Sequence, residues 1–101
     1  MERIEIWFSE RERCWVYELY EIRKTQGEKG GKMELIEEGI FSETPWGGNP
    51  DTENKEIASY AARIWGKIFP LEIVIFRGDK WEKYYVQGKK SLSRNGAPIP
   101  M

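Results

Sequence analysis

Residues 3–22, RIEIWFSERERCWVYELYEI, decide the fold of this chain. The first six of these residues alternate apolar and charged side chains, and residues 14–22 are rich in aromatic and β-branched types. Both patterns are typical of strands that bury one face. A hairpin loop centred on Arg11 and Glu12 joins the two strands in one register. That register aligns three apolar pairs on a single face: Phe8 with Trp15, Ile6 with Tyr17, and Ile4 with Leu19.

A third strand and a helix follow this hairpin. Residues 33–41, MELIEEGIF, have a strand-like pattern in which Gly39 suggests a bulge or the end of the strand. Asp51 or Thr52 offers a helix cap, and the helix is expected to run to about Phe69, where a proline follows. Gly66 near that end offers an alternative, earlier C-terminus. The apolar stripe of this helix consists of Ile57, Tyr60, Ala61, Ile64 and Ile68.

A second hairpin comes after the helix. Residues 71–76, LEIVIF, and residues 81–87, WEKYYVQ, flank an RGDK turn. The central Gly-Asp pair of that turn suits a two-residue connection of type II′. The resulting register sets three pairs opposite each other: Leu71 with Val86, Ile73 with Tyr84, and Ile75 with Glu82.

These elements predict one α+β domain over residues 1–90. Its two layers are an antiparallel sheet of about five strands and one helix packed on one face, in the order β-β-β-α-β-β. A chain of 101 residues is suited to a single core. Residues 91–101, SLSRNGAPIPM, show no period and contain two prolines, which predicts a flexible C-terminal tail.

One helix can cover only one face of such a sheet, so we expect the other face to be open. The side chains predicted there are Trp7, Val16, Tyr20, Ile22, Val74, Phe76, Trp81 and Tyr85. An apolar surface of this kind marks a partner site or a dimer interface. We therefore expect a binding module for a protein partner or a second copy of the chain. Its predicted partner-binding residues are Trp7, Phe76, Trp81, Lys83 and Tyr85.

Nucleic-acid binding is the alternative function. Residues 76–90, FRGDKWEKYYVQGKK, interleave aromatic and basic side chains, which is typical of proteins that bind single strands. Against this hypothesis, the chain has a net charge of −1 and lacks a domain-wide basic footprint. The nucleic-acid contacts in this alternative are Arg77, Lys80, Trp81, Lys83, Tyr85, Lys89 and Lys90.

The composition argues against an enzyme. Histidine is absent, which removes the usual general base and every Ser-His or Cys-His nucleophile. Cys14 is the single cysteine, so neither an internal disulfide nor a Cys/His zinc site is possible. We expect no catalytic residues, no metal and no cofactor. Without an apolar run of about 18 residues or a secretion signal, a cytoplasmic location without membrane contact is expected.

The linker PWGGNP, residues 45–50, allows two hypotheses for Trp46. Trp46 is either a stacking platform on a ligand-binding loop or a hydrophobic plug beneath a connector. Two glycines beside a proline are ordinary connector chemistry, because such residues favour turns over regular structure. The composition of the linker therefore favours the plug.

Three runs, FSET, EIASYAARIWGKI and LEIVIFRGDKWEKYYV, cover roughly residues 41–86. Together they resemble small uncharacterised bacterial proteins in which a Phe-Ser/Thr loop enters an Ala-containing helix, followed by a strand and a charged turn. The PWGGNP segment departs from that pattern. The resemblance implies a ββαβ-type fold and implies no activity.

Overall fold

The computed structural model describes residues 1–23, 32–67, 70–88, 91–94 and 97–99. Within them, the chain forms seven strands and one helix that build a two-layer α+β fold, with the helix on one face of the sheet. This confirms the predicted fold class. In chain order the elements are β1 (Glu2–Ser9), β2 (Cys14–Arg23), β3 (Lys32–Ile40), α1 (Asn54–Trp65), β4 (Leu71–Arg77), β5 (Lys80–Gly88), β6 (Ser91–Arg94) and β7 (Ala97–Ile99).

The sheet is mixed, with the strand order β3-β2-β1-β4-β5-β6-β7. β1 and β4 run parallel, and the other neighbouring strands are antiparallel. The expectation of an antiparallel sheet is therefore wrong at its centre. A parallel neighbour cannot be reached by a tight turn. The chain accordingly leaves the edge strand β3, crosses one face through α1, and enters the sheet again beside β1.

The predicted tail over residues 91–101 contains regular structure in its described part. β6 pairs with β5, and β7 pairs with β6, both in antiparallel register. Residues 95–96 and 100–101 lie outside the described residues. Within the described ranges the sheet consequently has seven strands in place of about five, and its last two strands lie past residue 90.

Both hairpins have the register that the sequence predicts. Phe8 lies opposite Trp15 in the β1–β2 pair, and Ile73 lies opposite Tyr84 in the β4–β5 pair. Gly78 has a φ of 60°, the positive value that the first central residue of a type II′ turn requires. Alternation within each strand and a tight connection are sufficient to set these two registers.

The bulge in β3 differs from the prediction. The register with β2 shifts so that Ile36, and not Gly39, is the extra residue. Gly39 instead makes room for Tyr17, because a Cβ at position 39 would lie 2.8 Å from the Tyr17 hydroxyl oxygen. The glycine in this strand therefore reflects close packing and not a break in the ladder.

The start of α1 also differs from the prediction. The helix begins at Asn54 after Glu53, which makes no side-chain capping hydrogen bond, so neither Asp51 nor Thr52 is the cap. Thr52 is buried, and its hydroxyl donates to the Asn49 carbonyl oxygen at 2.9 Å. This residue closes the linker before the helix begins.

α1 takes the earlier of the two ends that the sequence offers, at Gly66, and does not run on to Phe69. The helix ends at Trp65, with Gly66 in the C-cap position. Ile64 is expected in the apolar stripe of the helix, but it is 50% exposed and does not belong to the core. Ile68 and Phe69 lie outside the described residues. The members of the expected stripe that reach the core are Ile57, Tyr60 and Ala61.

The core lies between α1 with its preceding linker and one face of the sheet. Trp46 is 8% exposed, and its ring centroid lies 5.1 Å from that of Phe41 and 5.4 Å from that of Tyr60. The prediction that Trp46 is a hydrophobic plug is thus confirmed. The buried core comprises Ile4, Ile6, Trp15, Leu19, Phe41, Trp46, Ile57, Ala58, Ala61, Leu71, Ile73, Ile75, Tyr84 and Val86.

The two glycines of the linker test this packing. A Cβ at Gly47 would overlap the backbone carbonyl oxygen of Phe41, whereas a Cβ at Gly48 would lie 3.8 Å from the nearest atom, the carbonyl oxygen of Arg13. We expect Gly47→Ala to lower the free energy of unfolding by about 1–3 kcal/mol. Gly48→Ala should change it by less than about 0.5 kcal/mol. Urea unfolding followed by tryptophan fluorescence measures both, and equal effects would contradict this account of the linker.

Candidate functional site

A row of apolar side chains crosses five strands on the face opposite α1. Trp7 of β1 pairs with Val16 of β2 on one side and with Phe76 of β4 on the other. Val16 then pairs with Ile40 of β3, and Phe76 pairs with Trp81 of β5. Four strand spacings of about 4.8 Å make this row roughly 19 Å long. We call these five residues the apolar row.

The apolar row remains accessible in the folded chain. Trp81 is 56% exposed and Ile40 is 50% exposed at its two ends, while Val16 is 9% exposed. Trp7 and Phe76 are half-buried. The structure therefore brings Trp7, Phe76 and Trp81, three of the five predicted partner-binding residues, into one continuous and open line.

Trp7, near the C-terminal end of β1, lies between two hollows in the surface. One hollow of about 640 Å³ is lined by Trp7, Val16, Ile40 and Glu38, among others. The other, of about 590 Å³, is lined by Trp7 and Phe76 and reaches around the end of the sheet. The apolar row is therefore uneven, with a recess on each side of the central indole ring.

A second row, which is acidic, lies beside the apolar row on the same face. Glu5 pairs with Glu18, and Glu18 pairs with Glu38, so three carboxylates stand on adjacent strands. We call these three residues the acidic row. Like charges directly opposite each other on a sheet are destabilising, so the fold tolerates this arrangement at a cost. On the other side of Glu5 the same line continues through Val74 to Lys83.

The pKa of Tyr20 reflects the negative charge of the acidic row. Its hydroxyl donates a hydrogen bond of 2.7 Å to Oε2 of Glu18. This hydrogen bond first, then burial, then the charges of Glu18, Glu5 and Glu38 raise the pKa of Tyr20 to about 12. All three members of the acidic row thus act on one phenol, because they lie on neighbouring strands of the same face.

Two basic side chains lie within this face and are engaged there. Nε of Arg3 lies 3.1 Å from Oε2 of Glu5. Oε1 of Glu72 lies 3.9 Å from Nη1 of Arg3 and 3.2 Å from Nζ of Lys83. Nζ of Lys83 also lies 5.3 Å from the ring centroid of Trp81, a cation–π distance. Lys83 is therefore held between Glu72 and the apolar row.

Arg77, a predicted nucleic-acid contact, forms hydrogen bonds on the helix side of the sheet, away from the apolar row. Its Nε donates to Oδ1 of Asn54 at 2.6 Å, and its Nη1 donates to the carbonyl oxygen of Pro50 at 2.9 Å. Its guanidinium carbon also lies 5.1 Å from the ring centroid of Trp15. Arg77 thereby ties the linker and the start of α1 to β4.

The other predicted nucleic-acid contacts do not form one patch in the described part of the chain. Lys80 is exposed at the hairpin turn. Tyr85, also a predicted partner-binding residue, is half-buried and lies opposite Glu72, two rows away from the apolar row. Lys89 and Lys90 lie outside the described residues.

The sequence-based expectation does not include Ile40 or the acidic row. A signal for part of that row is present, because the register of the first hairpin places Glu5 opposite Glu18. Glu38 and Ile40 could not be placed in the same way, since the bulge at Ile36 shifts the register of β3. The pattern of β3 alone does not reveal that shift.

Cys14 is the single thiol of the chain, and it lies buried at the start of β2. Burial first, and then the charge of Glu12, raise the pKa of the Cys14 thiol above its ordinary value. A thiol that stays protonated is a weak nucleophile. No group of three His, Cys, Asp or Glu side chains is placed to hold a metal ion in the ranges that the structure covers.

Across the described ranges, no helix combines the length and the apolar character needed to cross a bilayer.

Comparisons with protein-family models, curated proteins and solved structures find no match to this chain. The fold and the open face therefore define the protein only as a small α+β domain with a mixed sheet. The resemblance to small bacterial ββαβ proteins stays a prediction.

The pKa of Tyr20 tests the field of the acidic row. We expect Tyr20 to titrate near pH 12, against about 10 for an unperturbed tyrosine. Glu18→Gln removes the charged acceptor and should lower this pKa toward the ordinary value. Glu21→Gln, on the other face of the same strand, should leave it unchanged. The measurement is a ¹³C NMR titration of labelled tyrosine rings, assigned with Tyr20→Phe.

The sign of the linked stability effect follows from the direction of this shift. Because the pKa of Tyr20 is higher in the folded chain, the group contributes stability that is complete below about pH 10. That contribution is lost as the pH rises from about 10 through about 12. Equal pKa values for Tyr20 in the wild-type protein and in Glu18→Gln would contradict the described role of the acidic row.

Proposed function

We propose that this chain is a non-enzymatic binding module that docks a protein partner across the apolar row. The observation that carries the proposal is the adjacency of Trp7, Phe76 and Trp81 on three neighbouring strands of the face that α1 leaves open. Aromatic side chains are enriched at the energetic centres of protein interfaces, because they bury a large area with few rotatable bonds.

The two hollows beside Trp7 give the apolar row its shape. A flat aromatic strip offers contact but little selectivity, whereas recesses of about 640 and 590 Å³ can each accept an apolar side chain of a partner. The residues that dominate binding energy in interfaces cluster where side chains of one partner fill recesses of the other. The partner segment is therefore expected to carry at least two bulky apolar side chains.

The acidic row sets the charge of that partner. Glu5, Glu18 and Glu38 lie two residues along their strands from the apolar row, which is a separation of roughly 7 Å on the sheet surface. Complementary charge across an interface speeds association and rejects wrong partners. The proposed partner is thus a protein segment that carries basic side chains beside its apolar ones.

A nucleic acid is less well supported as the ligand. Trp81 with Lys83 close to its ring is a suitable stacking platform. However, the positive charge of Lys83 is offset by Glu72, and the acidic row borders the same surface. Phosphate binding depends on local positive charge, so this field opposes a polyanion. These observations favour a protein partner over a single-stranded nucleic acid.

The test is a selection of displayed random peptides on the wild-type domain, followed by affinity measurements with two variants. We expect the selected peptides to combine bulky apolar residues with Lys or Arg. Trp81→Ser should weaken them by about tenfold or more, because the most exposed aromatic contact of the apolar row is lost. Ile64→Ser is the matched control, since Ile64 is also a large and half-exposed apolar residue but lies on α1. This control should bind as the wild-type protein does.

Two outcomes would contradict the proposed function. Peptides that bind Trp81→Ser as tightly as the wild-type protein would show that they use another surface. Binding of a single-stranded oligonucleotide that weakens with salt and is lost in Trp81→Ser would support the nucleic-acid alternative instead. A separate measurement is sedimentation at high protein concentration. A dimer that Trp81→Ser dissociates would identify the partner as a second copy of this chain.

A further inference from the structure

β3 differs from the other strands because its side chains are exposed along nearly its whole length. Four of its apolar residues are between 44% and 50% exposed: Met33, Leu35, Ile36 and Ile40. They form the largest group of exposed apolar side chains on one element of the described chain. A long, exposed and partly apolar edge strand readily pairs with another chain.

The two sides of β3 have different chemistry. Its register with β2 places Met33, Leu35 and Ile40 on the open face, beside Ile22, Tyr20 and Val16 respectively. The same register places Glu34 and Glu37 on the helix face, where Glu37 accepts a hydrogen bond of 3.1 Å from the indole nitrogen of Trp65. Glu38 of the acidic row also lies on the open face, so β3 presents a mainly apolar side and an acidic side.

The backbone of β3 is paired on one side within the described chain. β2 is its neighbour and β3 is the last strand of the sheet, so alternate N–H and C=O groups point outward. The opposite edge, β7, has only three residues and includes Pro98, which has no N–H to donate. β3 has nine residues and no proline. The two edges are thus protected to different degrees.

We propose that β3 binds an extended segment of another protein as an added strand, with basic side chains on one side of that segment and apolar side chains on the other. The outward backbone groups of β3 would pair with the added strand. Glu34 and Glu37 would face its basic side chains, and Leu35 and Ile40 would face its apolar ones. This site is separate from the proposed docking across the apolar row, since its affinity comes from backbone pairing.

A second copy of this chain fits the β3 edge poorly. β3 carries Lys32 against three glutamates, so two such edges would bring excess negative charge together. Like charges on facing strands are destabilising. The same excess attracts a basic strand, and it also protects the protein from pairing with itself. Charge complementarity therefore assigns the edge to a different, basic chain.

The probe is an acetylated and amidated peptide of seven residues that alternates Lys and Val. It places all its lysines on one side of a strand and all its valines on the other. Two control peptides accompany it. One has the same sequence with alternate backbone amides N-methylated, which blocks strand pairing but keeps the charge, and the other replaces every Lys by Glu. Binding is measured by calorimetry, and the bound site by amide hydrogen exchange.

We expect the Lys-Val peptide to slow amide exchange in β3 selectively. N-methylation should weaken its binding by about tenfold or more, because the pairing groups are lost. The double substitution Glu34→Gln/Glu37→Gln should also weaken binding of the peptide, because a glutamine keeps the shape and the hydrogen-bond acceptor but not the charge. Ile64→Ser, which changes an exposed apolar residue of α1 and not of β3, should bind the peptide as the wild-type protein does.

Several results would overturn this assignment. Equal binding of the N-methylated peptide would show that strand pairing is not involved, as would an absence of binding up to about 1 mM. Loss of binding in Trp81→Ser with full binding in the Glu34→Gln/Glu37→Gln variant would place the peptide on the apolar row, which supports the proposed function but not the edge site. Concentration-dependent protection of β3 without peptide would identify a second copy as the occupant.

Discussion

The parallel pairing of β1 with β4 is the constraint on which the rest of this structure depends. Because a parallel neighbour lies at the end of a long crossover, the chain has to travel from the β3 edge back to the sheet centre over one face. That crossover carries Trp46 and α1, which bury the side chains of that face. No equivalent segment covers the other face among the described residues, so the side chains of that face are either solvated or available to contact a partner.

The open face meets this requirement by separating its side chains into rows. Val74 is 1% exposed and Glu72 is 6% exposed, although α1 lies on the other side of the sheet. Their register neighbours Arg3, Glu5 and Lys83 have long side chains that cover apolar surface and keep their charges near water. The part of the face around Val74 is therefore closed by its own polar side chains, whereas the apolar row and the β3 residues Met33 and Leu35 stay accessible.

The hairpin registers could be predicted from the sequence, whereas the assembly of the site could not. Alternation and a tight turn fix a local pair such as Phe76 with Trp81. The contact of Phe76 with Trp7 depends on which distant strands pair, and no local pattern encodes that choice. The bulge at Ile36 and the tail strands were missed for a related reason, since both depend on an existing neighbour that the segment itself does not specify.

The distribution of charge over the sheet explains why both proposed surfaces favour the same kind of partner. The acidic row and the glutamates of β3 all belong to β1–β3, the half of the sheet that ends at β1 of the parallel pair. On the other side, Lys83 is paired with Glu72, and Arg77 is bound to the linker and to Asn54. The excess of basic residues in the second half of the sequence is thus partly engaged within the fold. An approaching chain consequently meets a negative field at the β3 side, within reach of a Debye length of about 8 Å, before it meets the aromatic side chains.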